Sequence, residues 1–201
     1  MVAFAQKRYS IEEYLELEYS SEIRHEYIAG KIVPMPHTSK NHGRIASNLN
    51  AFFHLCLKGT GLEVYAENRM LHIPECERFY YPDLAIIPIE VETFSHKKKM
   101  EADLFPQVVI EILSSSTEEY DREDKWRCYQ QIKTLQQYVL VSQNEIFVQV
   151  FSRQDNDSPV WIYTSYQDEM QKAPIASCEV PLKEIYDRVE FEKPEAPSSP
   201  E

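Results

Sequence analysis

Two acidic residues stand where the surrounding sequence is almost wholly apolar. Glu111 interrupts the run 107–113, and Asp83 follows Pro82 and opens the apolar run 84–87. An ionised carboxylate in such surroundings is costly unless it is paired with a cation or bound to a metal. The simpler alternatives are a strand-end glutamate that pairs with a nearby Lys or Arg, and an aspartate that caps its own turn.

A basic residue and a third carboxylate follow Glu111 on one stripe of the next segment. Asp121 lies one helical turn before Lys125. The positions that recur at spacings of three and four residues, as on a helix face turned toward a sheet, are Lys125, Cys128, Tyr129 and Ile132. Asp121 and Lys125 are therefore expected to point inward. The alternative is an exposed i, i+4 ion pair, which would contribute only about 0.2–0.5 kcal/mol.

Together, Asp83, Glu111 and Lys125 have the side-chain types that phosphodiester hydrolysis requires. Two carboxylates on neighbouring strands can bind Mg²⁺, or Mn²⁺ as a substitute, because hard cations prefer oxygen ligands. Such a cation neutralises a phosphate and lowers the pKa of a bound water. An ammonium group nearby can stabilise the charge that develops on the phosphate. The sequence therefore predicts Asp83 and Glu111 as metal ligands and all three residues as catalytic.

Three accessory residues are weaker candidates for the same site. Glu26 lies in a predicted hairpin, and His42 lies in the first turn of a predicted helix. A carboxylate or imidazole there could complete the metal shell or relay a proton. The alternatives are a surface strand residue and a polar residue at a helix start. Asp121 is the third accessory candidate.

The positions of these side chains depend on elements that the residue pattern predicts. A capping box at 10–13 predicts a helix over 11–17. Residues 62–73 are interpreted as one strand or two strands joined by a bend, and 90–105 as an exposed loop. Other predicted elements are a hairpin of 23–28 and 31–35, helices over 40–58, 118–132 and 182–186, and strands over 80–87, 107–113, 137–141, 146–151 and 160–164. This order predicts an α/β fold with a mixed central sheet flanked by helices.

The same segments, in the same order, resemble the Uma family of bacterial restriction endonuclease-like proteins, within the PD-(D/E)XK superfamily. The segments that carry the resemblance are 26–35 with His42, 81–87, 109–117, the series Asp121, Lys125 and Tyr129, and 135–141. The family has been catalogued as a domain of unknown function. The specificity lies in the ordered series and in no single motif.

The resemblance covers roughly 8–190 and implies a restriction endonuclease-like fold. It implies Asp83 and Glu111 as metal ligands, DNA as the default substrate and a homodimer as a plausible assembly. The sequence departs from the superfamily pattern at Leu113, because the basic residue normally stands two positions after the acid. The family places it in the next helix, where Lys125 stands. Ser142 occupies a position at which many relatives carry an acid.

Length and composition limit the possible cell location and organisation. The chain of 201 residues suits one domain over 1–190, with a Pro-, Ser- and Glu-rich tail over 191–201 that is expected to be disordered. No apolar run approaches the roughly 20 residues of a membrane helix. The first residues lack the pattern of a secretion signal, so a cytoplasmic location is expected. The four scattered cysteines form no C-x-x-C pair and are expected to be small buried hydrophobic residues rather than disulfides or zinc ligands.

The formal net charge of −12 disfavours strong, non-specific binding to nucleic acid. Three functions therefore remain open: a Mg²⁺-dependent nuclease, a catalytically silent interaction protein, and a hydrolase of another phosphoester. A cleft lined by basic residues would favour nucleic acid, and the candidates are Arg24, Lys31, Arg44, Arg69 and 97–99. An acidic cleft mouth would favour the other two functions. The aromatic residues Phe147, Phe151, Trp161 and Tyr163 belong either to a dimer interface or to the core.

Overall fold

The protein is described by a computed structural model, which covers residues 7–66, 69–91, 93–96, 100–114, 117–156 and 158–191. The predicted tail over 191–201 lies outside these residues except for Phe191, and so do the lysines at 97–99. In the part of the chain that is described, no helix is both long enough and apolar enough to cross a membrane.

Within the described residues, three sheets and five short or medium helices make up an α/β architecture. The helices are α1 (Ile11–Ser20), α2 (Lys40–Cys56), α3 (Glu118–Tyr120), α4 (Trp126–Tyr129) and α5 (Leu182–Ile185). The strands are β1 (His25–Ile28), β2 (Lys31–Pro34), β3 (Leu62–Ala66), β4 (Leu71–Ile73), β5 (Arg78–Tyr80), β6 (Leu84–Pro88), β7 (Thr93–His96), β8 (Met100–Asp103), β9 (Val108–Leu113), β10 (Gln137–Ser142), β11 (Val148–Arg153), β12 (Trp161–Tyr166), β13 (Lys172–Ile175) and β14 (Cys178–Pro181).

The central sheet has the order β12-β11-β10-β9-β6-β3. Strands β9 and β10 run parallel and the other neighbours run antiparallel, so the sheet is mixed as predicted. Strand β9 is buried along its whole length, which explains its continuous apolar run. A second sheet, β2-β1-β5-β4-β8-β7, carries the predicted hairpin at one edge, and β13 and β14 form a separate hairpin.

Helices cover both faces of the central sheet. On one face, α2 buries Ile45, Leu49 and Phe53 against alternate residues of the strands, such as Ile86 and Ile110. The capping Ser39 accepts a hydrogen bond from the backbone N–H of His42, which fixes where α2 begins.

The opposite face of the central sheet packs against the segment 118–129. There, Val109 and Leu113 of β9 contact a cluster that includes Tyr129 and Tyr138. Residues 109, 111 and 113 share one side of a strand because side chains alternate. Glu111 therefore faces the segment 118–129, as the predicted site requires.

The predicted helix over 118–132 is shorter and less regular than expected. It consists of α3, a π-helical turn at Asp121–Lys125 and α4, and it ends at Tyr129. Both ends of the π-helical turn are buried, because Asp121 and Lys125 point toward the sheet. Inserted π turns are frequent at functional sites.

The exposed loop predicted at 90–105 is wrong. The segment contains β7 and β8, which pair antiparallel, and β8 joins the second sheet beside β4. Asp103 at the end of β8 is buried and accepts two hydrogen bonds from the guanidinium of Arg69, at 2.6 and 2.8 Å. This ion pair allows a polar segment to enter a sheet, which a periodicity argument overlooks.

The prediction for the cysteines is also wrong. Cys56 pairs with Cys178 and Cys76 with Cys128 in disulfides, with Cα atoms 6.3 and 5.9 Å apart. The pairs are 122 and 52 residues apart in sequence. Spacing along the chain could not reveal them, because the fold alone brings each pair together.

The aromatic residues near the end of the chain divide between core and surface. Phe151 and Trp161 pack against Trp126, with ring centroids 4.9 and 4.8 Å from it, as the core interpretation predicts. Tyr163 is half exposed on β12, the edge strand of the central sheet.

Candidate functional site

All six predicted site residues line one cavity of about 470 Å³: Glu26, His42, Asp83, Glu111, Asp121 and Lys125. The cavity lies where the β1–β2 hairpin, the start of α2, the central sheet and the segment 118–129 meet. The six residues come from five separate stretches of the chain, so tertiary structure assembles the site.

The pairing of β6 with β9 places Asp83 opposite Glu111. Leu84 is the register partner of Ile110, and the next step of the antiparallel pair joins these two acids. The backbone N–H of Ile112 donates to Asp83 Oδ2 at 2.6 Å, and that of Asp83 donates to Glu111 Oε2 at 3.4 Å. The two carboxylates therefore lie on the same side of the sheet, held by neighbouring backbone.

Lys125 is buried and contacts three carboxylates. Its Nζ lies 3.2 Å from Glu26 Oε1, 3.2 Å from Glu111 Oε1 and 3.3 Å from Asp121 Oδ1. Burial lowers the pKa of Lys125, but Glu111, Glu26 and Asp121 outweigh it and raise the net pKa above its ordinary value. The alternative of an exposed i, i+4 pair is therefore excluded, and Lys125 is an ammonium inside the cavity.

The carboxyl groups around Lys125 have raised pKa values, which favours their neutral forms. Burial raises the pKa of Glu111 to about 8, although Lys125 opposes this shift. Burial also raises the pKa of Glu26 and of Asp121 in the same way. A cluster in which carboxylates outnumber ammonium groups has excess negative charge, and a proton or a cation can compensate it.

Two tyrosines donate hydrogen bonds to members of this cluster. The hydroxyl of Tyr129 donates to Glu111 Oε1 at 2.8 Å, and that of Tyr138 donates to the backbone carbonyl of Asp121 at 3.0 Å. Both rings are fully buried. Tyr129 was predicted to lie on the inward stripe but not to have a role in the site, and its position four residues after Lys125 was the available signal.

His42 approaches Asp83 from the other side of the cavity. Its Nε2 lies 3.0 Å from Asp83 Oδ1, and the imidazole is buried. Ser39, which caps α2, also donates a short hydrogen bond to Gln143 Oε1. No role in the site was predicted for Ser39 or Gln143, because nothing along the chain links residues that lie 104 positions apart.

The carboxylate pair has the donor chemistry that Mg²⁺ prefers. Asp83 and Glu111 offer four hard oxygens, and each carboxylate can accept more contacts than it receives from protein groups. No three His, Cys, Asp or Glu side chains within the described ranges form a preformed metal cage. Mg²⁺ does not need one, because it binds through one or two carboxylates and keeps waters or substrate oxygens as its other ligands. Asp83 and Glu111 fit such an ion.

Two of the basic residues expected around the cleft are engaged elsewhere. Arg44 pairs with Glu190 at 3.2 Å, and Arg69 pairs with Asp103 at 2.6 Å. Arg24 lines a hollow of about 240 Å³ that adjoins the cavity and shares Tyr81 and Asp83 with it. Of the described residues on the cavity wall, Lys125 is the one Lys or Arg.

Comparisons with known proteins agree with this architecture. The chain is 32% identical over 158 residues to the uncharacterized protein slr1290 of Synechocystis sp., covering 79% of this chain and 80% of that protein. It is 32% identical over 143 residues to the uncharacterized protein sll1609 of the same organism, covering 71% and 80%.

A solved structure has the same fold. The crystal structure of a "putative nuclease belonging to DUF820" from Anabaena variabilis superposes with a TM-score of 0.69 at 19% identity, covering 89% of this chain and 97% of that one. At this identity the likeness shows the fold alone. The model of the Uma2 family, described as "Putative restriction endonuclease", matches residues 11–181. The chain therefore belongs to the Uma2 family of restriction endonuclease-like proteins.

Proposed function

We propose that the chain is a Mg²⁺-dependent endonuclease that hydrolyses phosphodiester bonds of DNA. The observation that carries the proposal is the convergence of Asp83, Glu111 and Lys125 in one cavity, with Lys125 Nζ 3.2 Å from Glu111. Family membership supports a nuclease, and the site chemistry supports the metal. Mn²⁺ is expected to substitute for Mg²⁺, because both accept oxygen ligands.

In this proposal each side chain has a defined task. Asp83 and Glu111 would hold the cation, which would activate a water for attack and neutralise phosphate charge. Lys125 stabilises the charge that develops on the phosphate oxygens. His42 orients Asp83 through its 3.0 Å contact, and Tyr129 orients Glu111 through its hydrogen bond. Glu26 and Asp121 hold the ammonium of Lys125 in place.

The test is metal-dependent cleavage by the full chain. Supercoiled plasmid and single-stranded DNA are incubated with Mg²⁺, with Mn²⁺ or with EDTA, and products are followed on gels. We expect cleavage with either ion and none with EDTA. Asp83→Asn and Glu111→Gln should each lower the rate by about 100-fold or more, because each removes a charged ligand. Lys125→Met should lower it by about 100-fold, the cost of losing one electrostatic contact in the transition state.

Two exposed residues of the same segment supply matched controls. Asp124→Asn and Arg127→Met make the same chemical changes on the solvent side of the helix and should leave cleavage unchanged. Cleavage that persists in Asp83→Asn and Glu111→Gln at the unaltered rate would contradict the proposed site.

A second candidate function is favoured by the charge of the cavity. Four carboxylates and one lysine are among the lining residues, which suits a phosphoester with less backbone charge than duplex DNA. Hydrolysis of bis(p-nitrophenyl) phosphate without cleavage of any nucleic acid, and with the same Asp83 and Glu111 dependence, would support this alternative. Inactivity on every phosphoester would support an interaction protein.

A further inference from the structure

The cavity above the carboxylates has a wall that phosphate chemistry alone does not explain. Ile28, Val33, Pro34, Met35 and Pro36 line the side formed by the β1–β2 hairpin and the segment after it. Val33 is 38% exposed, so the wall includes apolar surface that is open to solvent. An apolar wall facing a polar floor is typical of sites that bind a flat organic group next to a reacting one.

The size of this cavity limits what can enter it. Pockets of about 300–1,000 Å³ hold ligands of drug size, which is the scale of one nucleotide. Glu111, on the floor, is only 3% exposed. A nucleotide whose phosphate lies at Glu111 and Asp83 can place its base against the apolar wall only if that base leaves the stack.

The charge of the cavity also favours a single strand over a duplex. Duplex binding depends on neutralising many phosphates with Lys and Arg. The one lysine among the described lining residues is already in contact with three carboxylates. Single strands can instead gain affinity from contacts between apolar side chains and the faces of unstacked bases.

The adjoining hollow supplies a place for the next part of the strand. It shares Met35, Tyr81 and Asp83 with the cavity and adds Arg24, whose guanidinium lies 5.5 Å from the Tyr81 ring centroid. Asp83 thus borders both the cavity and the hollow in which Arg24 lies. The Arg24 guanidinium is therefore placed to contact a phosphate next to the one at Asp83.

We propose that the substrate is single-stranded nucleic acid, bound with one unstacked base against the hairpin wall of Val33 and Met35 and with the adjoining phosphate beside Arg24. The proposal rests on the proposed phosphodiesterase site but concerns which strand it accepts. The hairpin is then the element that selects unpaired nucleotides.

The test measures binding to the full chain by fluorescence anisotropy, with Ca²⁺ in place of Mg²⁺ and gels to verify that the strands stay intact. The probes are labelled oligomers of 20 nucleotides: (dT)20, (rU)20, a duplex of mixed sequence, and an abasic strand with the same phosphates. We expect (dT)20 or (rU)20 to bind at least about tenfold more tightly than both the duplex and the abasic strand, which is the effect of one well-stacked base. The two homopolymers distinguish DNA from RNA.

Variants of the wall locate the effect. Val33→Ala combined with Met35→Ala should weaken single-strand binding by about fivefold or more, because methyl and methylene contacts with the base are lost. Val160→Ala changes a valine outside the cavity that is 50% exposed, against 38% for Val33, and should have no effect. If the double variant melts early, Val33→Ala alone at its exposed edge position gives the same comparison.

Equal binding of single-strand, duplex and abasic probes would overturn this inference, and so would no binding of any probe. Wild-type selectivity that survives in the wall variants would also overturn it. The proposed function is judged separately, by cleavage that depends on Asp83 and Glu111. A chain that binds single strands selectively but cleaves nothing would contradict the proposed function and would still support the inferred preference for single strands.

Discussion

Lys125 is the residue on which the charge balance of the site depends. Its ammonium is buried and lies within 3.3 Å of Glu26, Glu111 and Asp121. Removing one partner of a buried ion pair leaves uncompensated charge, which is more destabilising than loss of an exposed pair. The same contacts that orient Lys125 in the cavity therefore also stabilise the fold.

Replacing Lys125 with Met is expected to lower the free energy of unfolding by roughly 3 kcal/mol, because three carboxylates lose their shared cation. Arg127→Met is the matched control, since Arg127 is 74% exposed and lies 3.9 Å from Glu123. It should change stability by less than about 0.5 kcal/mol. Urea denaturation at pH 8 measures both, and equal losses in the two variants would contradict the buried cluster.

His72 lies outside the site and gives a separate test of the fold. Its imidazole stacks on Phe79 with ring centroids 4.1 Å apart. Burial lowers the pKa of His72 to about 4, and Glu75 only partly opposes this shift. The unfolded chain binds the proton near pH 6.5. Stability from His72 is therefore present above pH 6.5 and is lost as pH falls toward 4.

His72→Phe is expected to retain the stack and remove this pH dependence. The wild type should lose about 1–3 kcal/mol more than the variant between pH 7 and pH 4.5, since one pKa unit corresponds to about 1.4 kcal/mol. Denaturation curves at the two pH values measure the difference. His54→Phe, which removes an exposed imidazole from α2, is the control variant. An unchanged pH profile in His72→Phe would contradict the lowered pKa of His72.

At the scale of elements, the segment 118–129 is held by its π-helical turn and by a disulfide near its C-terminal end. Its π-helical turn places Asp121 and Lys125 on the cavity side, and Cys128 in α4 is bonded to Cys76 after β4. The disulfide ties this segment to the second sheet, so the site is fixed between two sheets.

Breaking the Cys76–Cys128 bond is expected to lower stability by roughly 2–4 kcal/mol, because the unfolded chain gains conformational entropy. Cys76→Ala with Cys128→Ala should therefore melt earlier than the wild type and respond less to reductant. Cys56→Ala with Cys178→Ala is the companion variant for the other bond. Thiol titration of the denatured, unreduced protein should find no free thiol, and four free thiols would overturn both pairings.

At the scale of the whole molecule, the excess of acidic residues limits the electrostatic attraction between the chain and a nucleic-acid backbone. The net charge is −12, and the described basic residues near the site are few. Binding should therefore release few counterions from the strand.

The salt dependence of binding should be shallow for this reason. For (dT)20 we expect log K to fall against log [NaCl] with a slope of about −0.7 to −1.5, which corresponds to one or two phosphate contacts. Arg24→Ala should make the slope less negative by about 0.7. Titrations from 50 to 300 mM NaCl measure the slope. A slope steeper than about −4 would indicate many phosphate contacts and would contradict this prediction.

The amino-acid sequence predicted much of the fold and most of the site. Glu111 and Asp83 interrupt apolar strands, and Lys125 falls on a helical stripe, so local periodicity identified three residues that prove to share one cavity. Strands with uniform apolar runs, such as β9, were predicted for the same reason. The cap at Ser10 fixed the start of a helix, because capping is a local hydrogen bond.

The tertiary structure alone decided which distant residues meet. The burial of Asp103 with Arg69, the two disulfides, and the contact of Ser39 with Gln143 join positions far apart along the chain. Periodicity carries no record of such contacts, because it reports only which face of an element is apolar. Side-chain identity thus determined what chemistry was available, and the packing of the hairpin against the sheet decided the size, the apolar wall and the charge of the space in which it would occur.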